Sequence, residues 1–171
     1  MASGILAIDP AAAKPQACAW TEDGRRYHVE SVDLADVRSL LIRLKNHVSD
    51  CWIESGFVGV NKRTSLALEG VRGEIKAHAE SLNYTVHKVD WMTWATGCLP
   101  KRGDRVPINM VSKPERMRRA KWYARSLQTG PMREKFPYDD PLTDDEACAL
   151  CMCAWARKQR AVGMMDENTG A

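Results

Sequence analysis

Apolar and polar residues alternate along this chain with two periods, one typical of strands and one typical of helices. Short apolar runs bounded by turn residues predict strands. Apolar residues at helical spacing predict helices, which begin at capping residues such as Asp33, Ser112 and Thr143. The predicted strands are 4–9, 16–20, 27–32, 51–54 and 85–89. The predicted helices are 33–48, 62–82, 112–127 and 143–159.

The order of these elements predicts an α/β fold with a mixed sheet of about five strands flanked by helices. Three strands with antiparallel connections come first, and strands and helices then alternate. The strands that end at Asp9 and Glu54 are expected to lie side by side inside the sheet. We expect one domain over 1–160, loops over 97–111 and 130–141, and a disordered tail over 161–171.

The composition is that of a globular protein, and it excludes only a few classes of function. The 171 residues carry a formal net charge of +3. No apolar stretch is long enough to span a membrane and no secretory signal is visible, so we expect a cytoplasmic protein of a bacterial or phage-infected cell. The six cysteines are then expected to be reduced. Cys148 and Cys151 have the spacing of a zinc ligand pair, but the missing second pair disfavours zinc.

Four acidic residues lie where separate segments of the chain are expected to meet. Asp9 and Glu54 each close an apolar strand, and Asp144 and Asp145 open the last apolar helix. A carboxylate at the end of a buried strand is costly to desolvate and usually has a partner that offsets the cost. Converging oxygen ligands suit Mg²⁺ or Mn²⁺. Because two such ions are a common device for cutting a phosphodiester, the pattern predicts a metal-dependent nuclease.

Basic residues are concentrated in one segment. Residues 101–125 contain nine lysines and arginines against two acids. A basic segment beside an acidic cluster suits such a nuclease, because one part holds phosphates and the other holds metal ions. The alternative is a solvated helix face, and Trp122 and Tyr123 within the run leave the two explanations balanced.

Three short motifs resemble, in their order and spacing, the RuvC family of Holliday junction resolvases within the ribonuclease-H-like fold. They are Ile-Leu-Ala-Ile-Asp-Pro (5–10), Trp-Ile-Glu-Ser-Gly-Phe (52–57) and Thr-Asp-Asp-Glu-Ala-Cys-Ala-Leu (143–150). Between the second and the third, Asn61 and the run 66–73 look like the family's helix that pairs two subunits. The likeness covers about 4–157. It implies a ribonuclease-H-like sheet, branched DNA as the partner and a homodimer formed through the helix near 62–82.

The resemblance also implies roles for individual residues. Asp9, Glu54 and Asp145 look like the family's metal-binding carboxylates, which implies about two Mg²⁺ or Mn²⁺ ions in each active site. Phe57 resembles the aromatic residue that stacks on bases near the junction centre. Arg116 falls near the family's basic residue on the penultimate helix. The candidate DNA-binding residues are Phe57, Lys62, Arg63, Lys101, Arg102, Arg105, Lys113, Arg116 and Arg119.

The sequence departs from the family at the fourth carboxylate, where it has Cys148. A thiol is a poor ligand for Mg²⁺. Asp144 lies on roughly the same helix face and is the first candidate to supply the missing oxygen, while Glu146 ranks below it. The loop 97–111 is longer and more basic than the resemblance implies, and the family's Asp-Pro-Gly is Asp-Pro-Ala here, ending at Ala11.

These observations predict a structure-specific endonuclease that cuts four-way DNA junctions by two-metal hydrolysis. One alternative is a nuclease of the same fold that cuts branched DNA in general or RNA in a hybrid. Another is a DNA-binding protein in which the loss of the fourth ligand has weakened catalysis. A nucleotide-binding domain of the actin and sugar-kinase superfamily shares the opening strand pattern, but the chain is too short for its two lobes.

Overall fold

The structure is a computed structural model, and it describes residues 3–55, 62–99, 111–128 and 142–168. The strands are β1 (Gly4–Asp9), β2 (Gln16–Thr21), β3 (His28–Val32), β4 (Val48–Ser55) and β5 (Thr85–Asp90). The helices are α1 (Val37–Leu44), α2 (Lys62–Ser81), α3 (Trp91–Cys98), α4 (Lys113–Gln128) and α5 (Asp144–Asn168), and a single 3₁₀ turn (Leu34–Asp36) precedes α1.

The five strands form one mixed sheet in the order β3-β2-β1-β4-β5. The first three strands are antiparallel neighbours, whereas β4 runs parallel to both β1 and β5. Apolar residues fill the central strand β1, which has neighbours on both sides and buried faces above and below. The predicted mixed sheet is confirmed, and so is the prediction that the strands carrying Asp9 and Glu54 are neighbours.

Alternate residues of β1 pack into two separate cores. Ile5 and Ala7 belong to a core shared with α3, α4 and α5 on one face of the sheet. Leu6 and Ile8 belong to a core shared with α1 and α2 on the other face. Because side chains of a strand alternate between faces, Asp9 follows Ile5 and Ala7 onto the face covered by α5.

Two boundaries differ from the prediction for local reasons. Val48 was expected to end a helix, but it begins β4, opposite Gly4 of β1. The helix stops earlier because His47 closes a turn, donating from its N–H to the carbonyl of Leu44 at 2.9 Å and accepting from the N–H of Gly4 at 2.9 Å. Asp33 precedes the 3₁₀ turn as predicted, but its side chain makes no capping hydrogen bond.

One helix lies where the sequence pattern predicts none, and another is longer than predicted. Residues 91–98, which lie between the predicted strand 85–89 and the predicted loop 97–111 and include the start of that loop, form α3. Asp90 caps this helix, because its side chain accepts a hydrogen bond from the N–H of Thr93 at 3.0 Å. The final helix extends to Asn168, past its predicted end at 159, so the predicted tail begins with helical backbone. Within the described residues, the helices are all too short or too polar to cross a membrane.

Candidate active site

Asp9 and Glu54 lie at the ends of two adjacent parallel strands. The register of β1 and β4 pairs Ile8 with Ile53, so the two carboxylates follow at the same edge of the sheet. Glu54 alternates with the buried Ile53, which packs against α1 and α2, and therefore faces the opposite side, as Asp9 does. The sequence prediction that strand order brings these two acids together is confirmed by the topology.

The third acid, Asp145, enters from the first turn of α5. A reciprocal pair of hydrogen bonds fixes the start of this helix: the N–H of Thr143 donates to Glu146 Oε2 at 2.9 Å, and the N–H of Glu146 donates to Thr143 Oγ1 at 3.1 Å. Ser31 Oγ also donates to Glu146 Oε1 at 2.9 Å, which ties the helix start to β3. The predicted capping box is confirmed, and both carboxylate oxygens of Glu146 accept hydrogen bonds, one from Thr143 in the box and one from Ser31.

The electrostatics of Asp9 show that the three acids share one environment. Burial raises the pKa of Asp9 well above its ordinary value, and the negative charges of Glu54 and Asp145 raise it further. The positive charges of Arg72 and Lys14 act in the opposite direction. The structure therefore brings together Asp9, Glu54 and Asp145, as the sequence predicted, and leaves their mutual repulsion only partly compensated.

Glu54 is held from two sides. The indole N–H of Trp94 donates to Glu54 Oε2 at 2.9 Å, and Arg72 Nε donates to the backbone carbonyl of Glu54 at 2.9 Å. Burial is the main cause that raises the pKa of Glu54 to about 7, and the charge of Asp145 adds to it. The hydrogen bond from Trp94 and the charge of Arg72 lower it. A carboxyl group with such a pKa ionises readily when a cation approaches.

Cys148 lies against the same group of acids, one turn after Asp145. Its side chain is 6% exposed, and burial together with the charges of Asp9, Glu54 and Asp145 raises the pKa of the thiol. The thiol is therefore uncharged at neutral pH. Asp144, the first candidate to supply the missing oxygen, pairs with Lys121 Nζ on α4 at 2.8 Å.

The donor set fits a hard divalent cation by its chemistry. Asp9, Glu54 and Asp145 offer carboxylate oxygens, the ligand type that Mg²⁺ and Mn²⁺ prefer, and their repulsion is what a cation relieves. Within the described residues, no three acidic, histidine or cysteine side chains have the geometry of a complete metal site.

The predicted DNA-binding residues of α4 fall into different environments. Lys113 is exposed at the start of the helix. The guanidinium of Arg116 lies over the ring of Trp91, with Cζ 4.9 Å from the ring centroid, and Arg116 Nε is buried without a hydrogen-bond partner among the described residues. Arg119 is buried, and its Nε donates to Glu115 Oε1 at 2.8 Å, so this side chain supports the helix rather than facing solvent.

The other predicted DNA-binding residues lie either at the start of α2 or outside the described residues. Arg63 is exposed in the first turn of α2, and Lys62 is the first residue of that helix. The remaining candidates lie outside the described residues: Phe57, Lys101, Arg102 and Arg105.

Sequence reasoning missed Trp94 and Lys121, which contact Glu54 and Asp144. The sequence pattern predicts no helix for the residues that follow the strand 85–89, and Trp94 is one of them. The signal that points to it is Asp90, a capping residue directly before a Trp-x-x-Trp spacing that puts two indoles on one face of a helix. Lys121 lies within the basic segment, but its pairing with an acid more than twenty residues away depends on tertiary packing.

Comparison with solved structures identifies the fold. RuvC from T. thermophilus in complex with a Holliday junction substrate matches with a TM-score of 0.67 at 12% identity, covering 94% of this chain and 96% of RuvC. The chain has the RuvC fold. A second structure of Thermus thermophilus RuvC matches with a TM-score of 0.61 at 15% identity, covering 92% of this chain and 97% of that one. No protein-family model and no curated protein matches the sequence.

The likeness confirms the fold that the three motifs implied. Nearly the full length of RuvC is covered, so the correspondence is to the whole architecture rather than to one part of it. At this level of identity it establishes the fold alone, because one fold supports many activities. The activity must be argued from the site.

Proposed function

We propose that the protein is a metal-dependent endonuclease that cuts branched DNA, with the four-way junction as its main substrate. One observation carries the proposal: Asp9 and Glu54 on adjacent parallel strands share an electrostatic environment with Asp145 from α5. The fold of RuvC, a structure of which contains a Holliday junction substrate, supports this choice of substrate.

The carboxylates would bind the cations and orient them toward a phosphodiester. Asp9, Glu54 and Asp145 would hold one or two Mg²⁺ or Mn²⁺ ions, which when bound activate water and stabilise the leaving 3′ oxygen. Glu54 must lose its proton to serve as a ligand, and burial, which raises its pKa to about 7, opposes that loss at low pH. Cleavage then leaves a 5′-phosphate end.

Basic residues would hold the DNA backbone. Arg116 has a buried Nε without a hydrogen-bond partner in the described part of the chain, and it belongs to the same helix as the exposed Lys113. Phosphate contacts of this kind position a duplex but do not read its sequence. We assign the same role to Lys62, Arg63, Lys101, Arg102 and Arg105, and stacking on bases to Phe57.

Two copies of the chain would act together through α2. A four-way junction has nearly two-fold symmetry, and a two-fold dimer presents two active sites to opposed strands. On α2, Leu66 is 73% exposed, and open space lies beside Gly70 and Gly73 within the described structure. An exposed leucine next to two positions without side chains allows close approach of a second helix.

Cleavage of a labelled four-way junction tests the proposal. We expect paired, ligatable nicks in Mg²⁺ or Mn²⁺ from the wild-type protein, and none from Asp9→Asn, which keeps the shape but loses the charge. Asp36→Asn is the matched control, since this acid is exposed beside α1, on the other face of the sheet. Equal cleavage by Asp9→Asn and the wild type would reject the site.

A DNA-binding protein without nuclease activity is the second candidate, favoured by the uncharged Cys148 among the acids. It predicts binding of the junction with no cleavage in either metal. Cleavage of an RNA/DNA hybrid in preference to the junction would instead indicate a different nuclease of the same fold.

A further inference from the structure

Trp94 links α3 to the carboxylate of Glu54. Its side chain is fully buried, and its indole N–H donates to Glu54 Oε2 at 2.9 Å. A buried indole N–H without an acceptor is costly, so the carboxylate stabilises Trp94 while Trp94 fixes the carboxylate. Because an indole nitrogen donates but does not accept, the contact cannot relay a proton. It acts on the orientation of Glu54.

The indole is itself held firmly in place. Trp91 packs edge-on against it, with ring centroids 5.8 Å apart and an interplanar angle of 71°. The helix that carries both residues is capped by Asp90 and packs in the same core as α5. A donor on a short, capped and buried helix is preorganised, because its own rotamer is locked by packing.

We propose that Trp94 is a positioning residue of the candidate metal site, holding Glu54 Oε2 so that the carboxylate meets a divalent cation in one orientation. The proposal rests on the proposed function, since it assigns Trp94 to the metal site of that reaction. The terminal torsion of a glutamate side chain is broad, so without the N–H the carboxylate must be ordered when the cation binds. Groups that orient a metal ligand typically contribute about 10- to 100-fold in metal affinity.

Two replacements separate the hydrogen bond from the packing. Trp94→Phe removes the donor and part of the ring. Site-specific replacement of Trp94 by 3-benzothienylalanine puts sulfur in place of N–H and keeps the bicyclic shape. This variant tests the hydrogen bond even if the phenylalanine variant does not fold. Trp155→Phe is the matched control: Trp155 is nearly buried in the same core, but it lies about 15 Å along α5 from Asp145.

We would measure Mn²⁺ binding by calorimetry, and kcat and KM for a labelled four-way junction. Both Trp94 replacements are expected to weaken Mn²⁺ binding by about tenfold or more and to lower kcat, with KM unchanged. Trp155→Phe is expected to match the wild type in all three quantities. A purely structural role for Trp94 would instead lower stability and leave the metal affinity of the folded protein unchanged.

Each outcome decides a different question. If the wild type binds Mn²⁺ and cleaves, and the benzothienyl variant does the same with equal affinity and kcat, the positioning role is wrong and Trp94 is a core residue. If the wild type neither binds Mn²⁺ nor cleaves, the proposed function fails and the assignment of Trp94 to a metal site fails with it. The wild-type measurement alone distinguishes these two failures.

Discussion

Arg72 is bonded to Glu54 through the backbone rather than through the carboxylate. Its Nε donates to the carbonyl oxygen of Glu54 at 2.9 Å, while Nη1 pairs with Glu69 Oε1 at 2.6 Å. Arg72 comes from α2, on the sheet face opposite α5, and its side chain is 6% exposed. Its charge lowers the pKa of both Glu54 and Asp9. Helix α2 therefore stabilises the ionised acids from the opposite face of the sheet.

Replacing this arginine is expected to destabilise the protein and the ionised site together. Arg72→Met keeps most of the chain length but leaves the Glu54 carbonyl without its donor, so the free energy of unfolding should fall by about 2 kcal/mol. Urea unfolding measures the loss. Lys76→Met is the control: Lys76 is also on α2, but it is 44% exposed in its pair with Glu80 and should change stability by less than about 0.5 kcal/mol. Equal losses in the two variants would contradict the structural role of Arg72.

The raised pKa values predict how stability depends on pH without metal. Burial raises the pKa of Glu54 from 4.5 to about 7, and that of Asp9 also rises. Between pH 4.5 and pH 7 the folded protein binds more protons than the unfolded chain. The contribution of these acids to the free energy of unfolding is therefore greatest below about pH 4.5, and it decreases as the pH rises through 7. For Glu54 the loss in the free energy of unfolding is on the order of 3 kcal/mol.

Thermal melts in EDTA between pH 4.5 and 8 measure this dependence. The double variant Asp9→Asn, Glu54→Gln should remove most of the slope, because its side chains do not ionise. Mg²⁺ or Mn²⁺ should restore stability chiefly above pH 7, where the carboxylates are charged. A wild-type melting temperature that increases from pH 5 to 8 in EDTA would show that the acids are not held in a desolvated cluster.

The sequence was sufficient for features that depend on chain order and local chemistry. The ends of apolar strands located Asp9 and Glu54, and the spacing of Thr143 and Glu146 located the start of α5. These signals lie within a few residues of each other, and parallel strands then bring the acids to one edge.

The sequence does not show which side chains contact one another through tertiary packing. A basic run does not show which arginines face inward, and Arg119 turns out to be buried beside Glu115. The short α3 was missed because eight residues give barely two turns of periodicity, so Trp94 was not recognised as a partner of Glu54. Likewise, the sequence does not show that tertiary packing pairs Asp144 with Lys121.

Arg116 is expected to contribute to DNA affinity without affecting sequence preference. Arg116→Met should weaken binding of all junction sequences similarly and reduce the slope of log affinity against log salt by about 0.9 if one phosphate contact is lost. Fluorescence anisotropy over a series of salt concentrations, in Ca²⁺ or without metal, measures both quantities. Arg25→Met, in the exposed turn between β2 and β3, is the control and should change neither. An unchanged salt slope in the Arg116 variant would exclude a phosphate contact.

The candidate site has three carboxylates and a thiol, that of Cys148, at the place of a fourth. Cys148→Asp tests the effect of adding the fourth carboxylate. Burial and neighbouring acids keep the thiol uncharged. An aspartate at this position therefore adds a negative charge to a cluster of carboxylates that already repel one another. Without metal, the variant should melt at a lower temperature than the wild type at pH 8. With Mg²⁺, it should gain more stability than the wild type, because an added oxygen ligand strengthens cation binding, and binding to the folded state raises its stability.

Cys148→Ser is the matched control, since it changes sulfur to oxygen without adding a charge. The increase in melting temperature caused by Mg²⁺ should be larger for the aspartate variant than for the serine variant. An equal increase would mean that another acid already supplies the fourth oxygen. Asp144 would then be the residue to test, released from Lys121 by Lys121→Met, because both oxygens of Glu146 already accept hydrogen bonds, from Thr143 and Ser31.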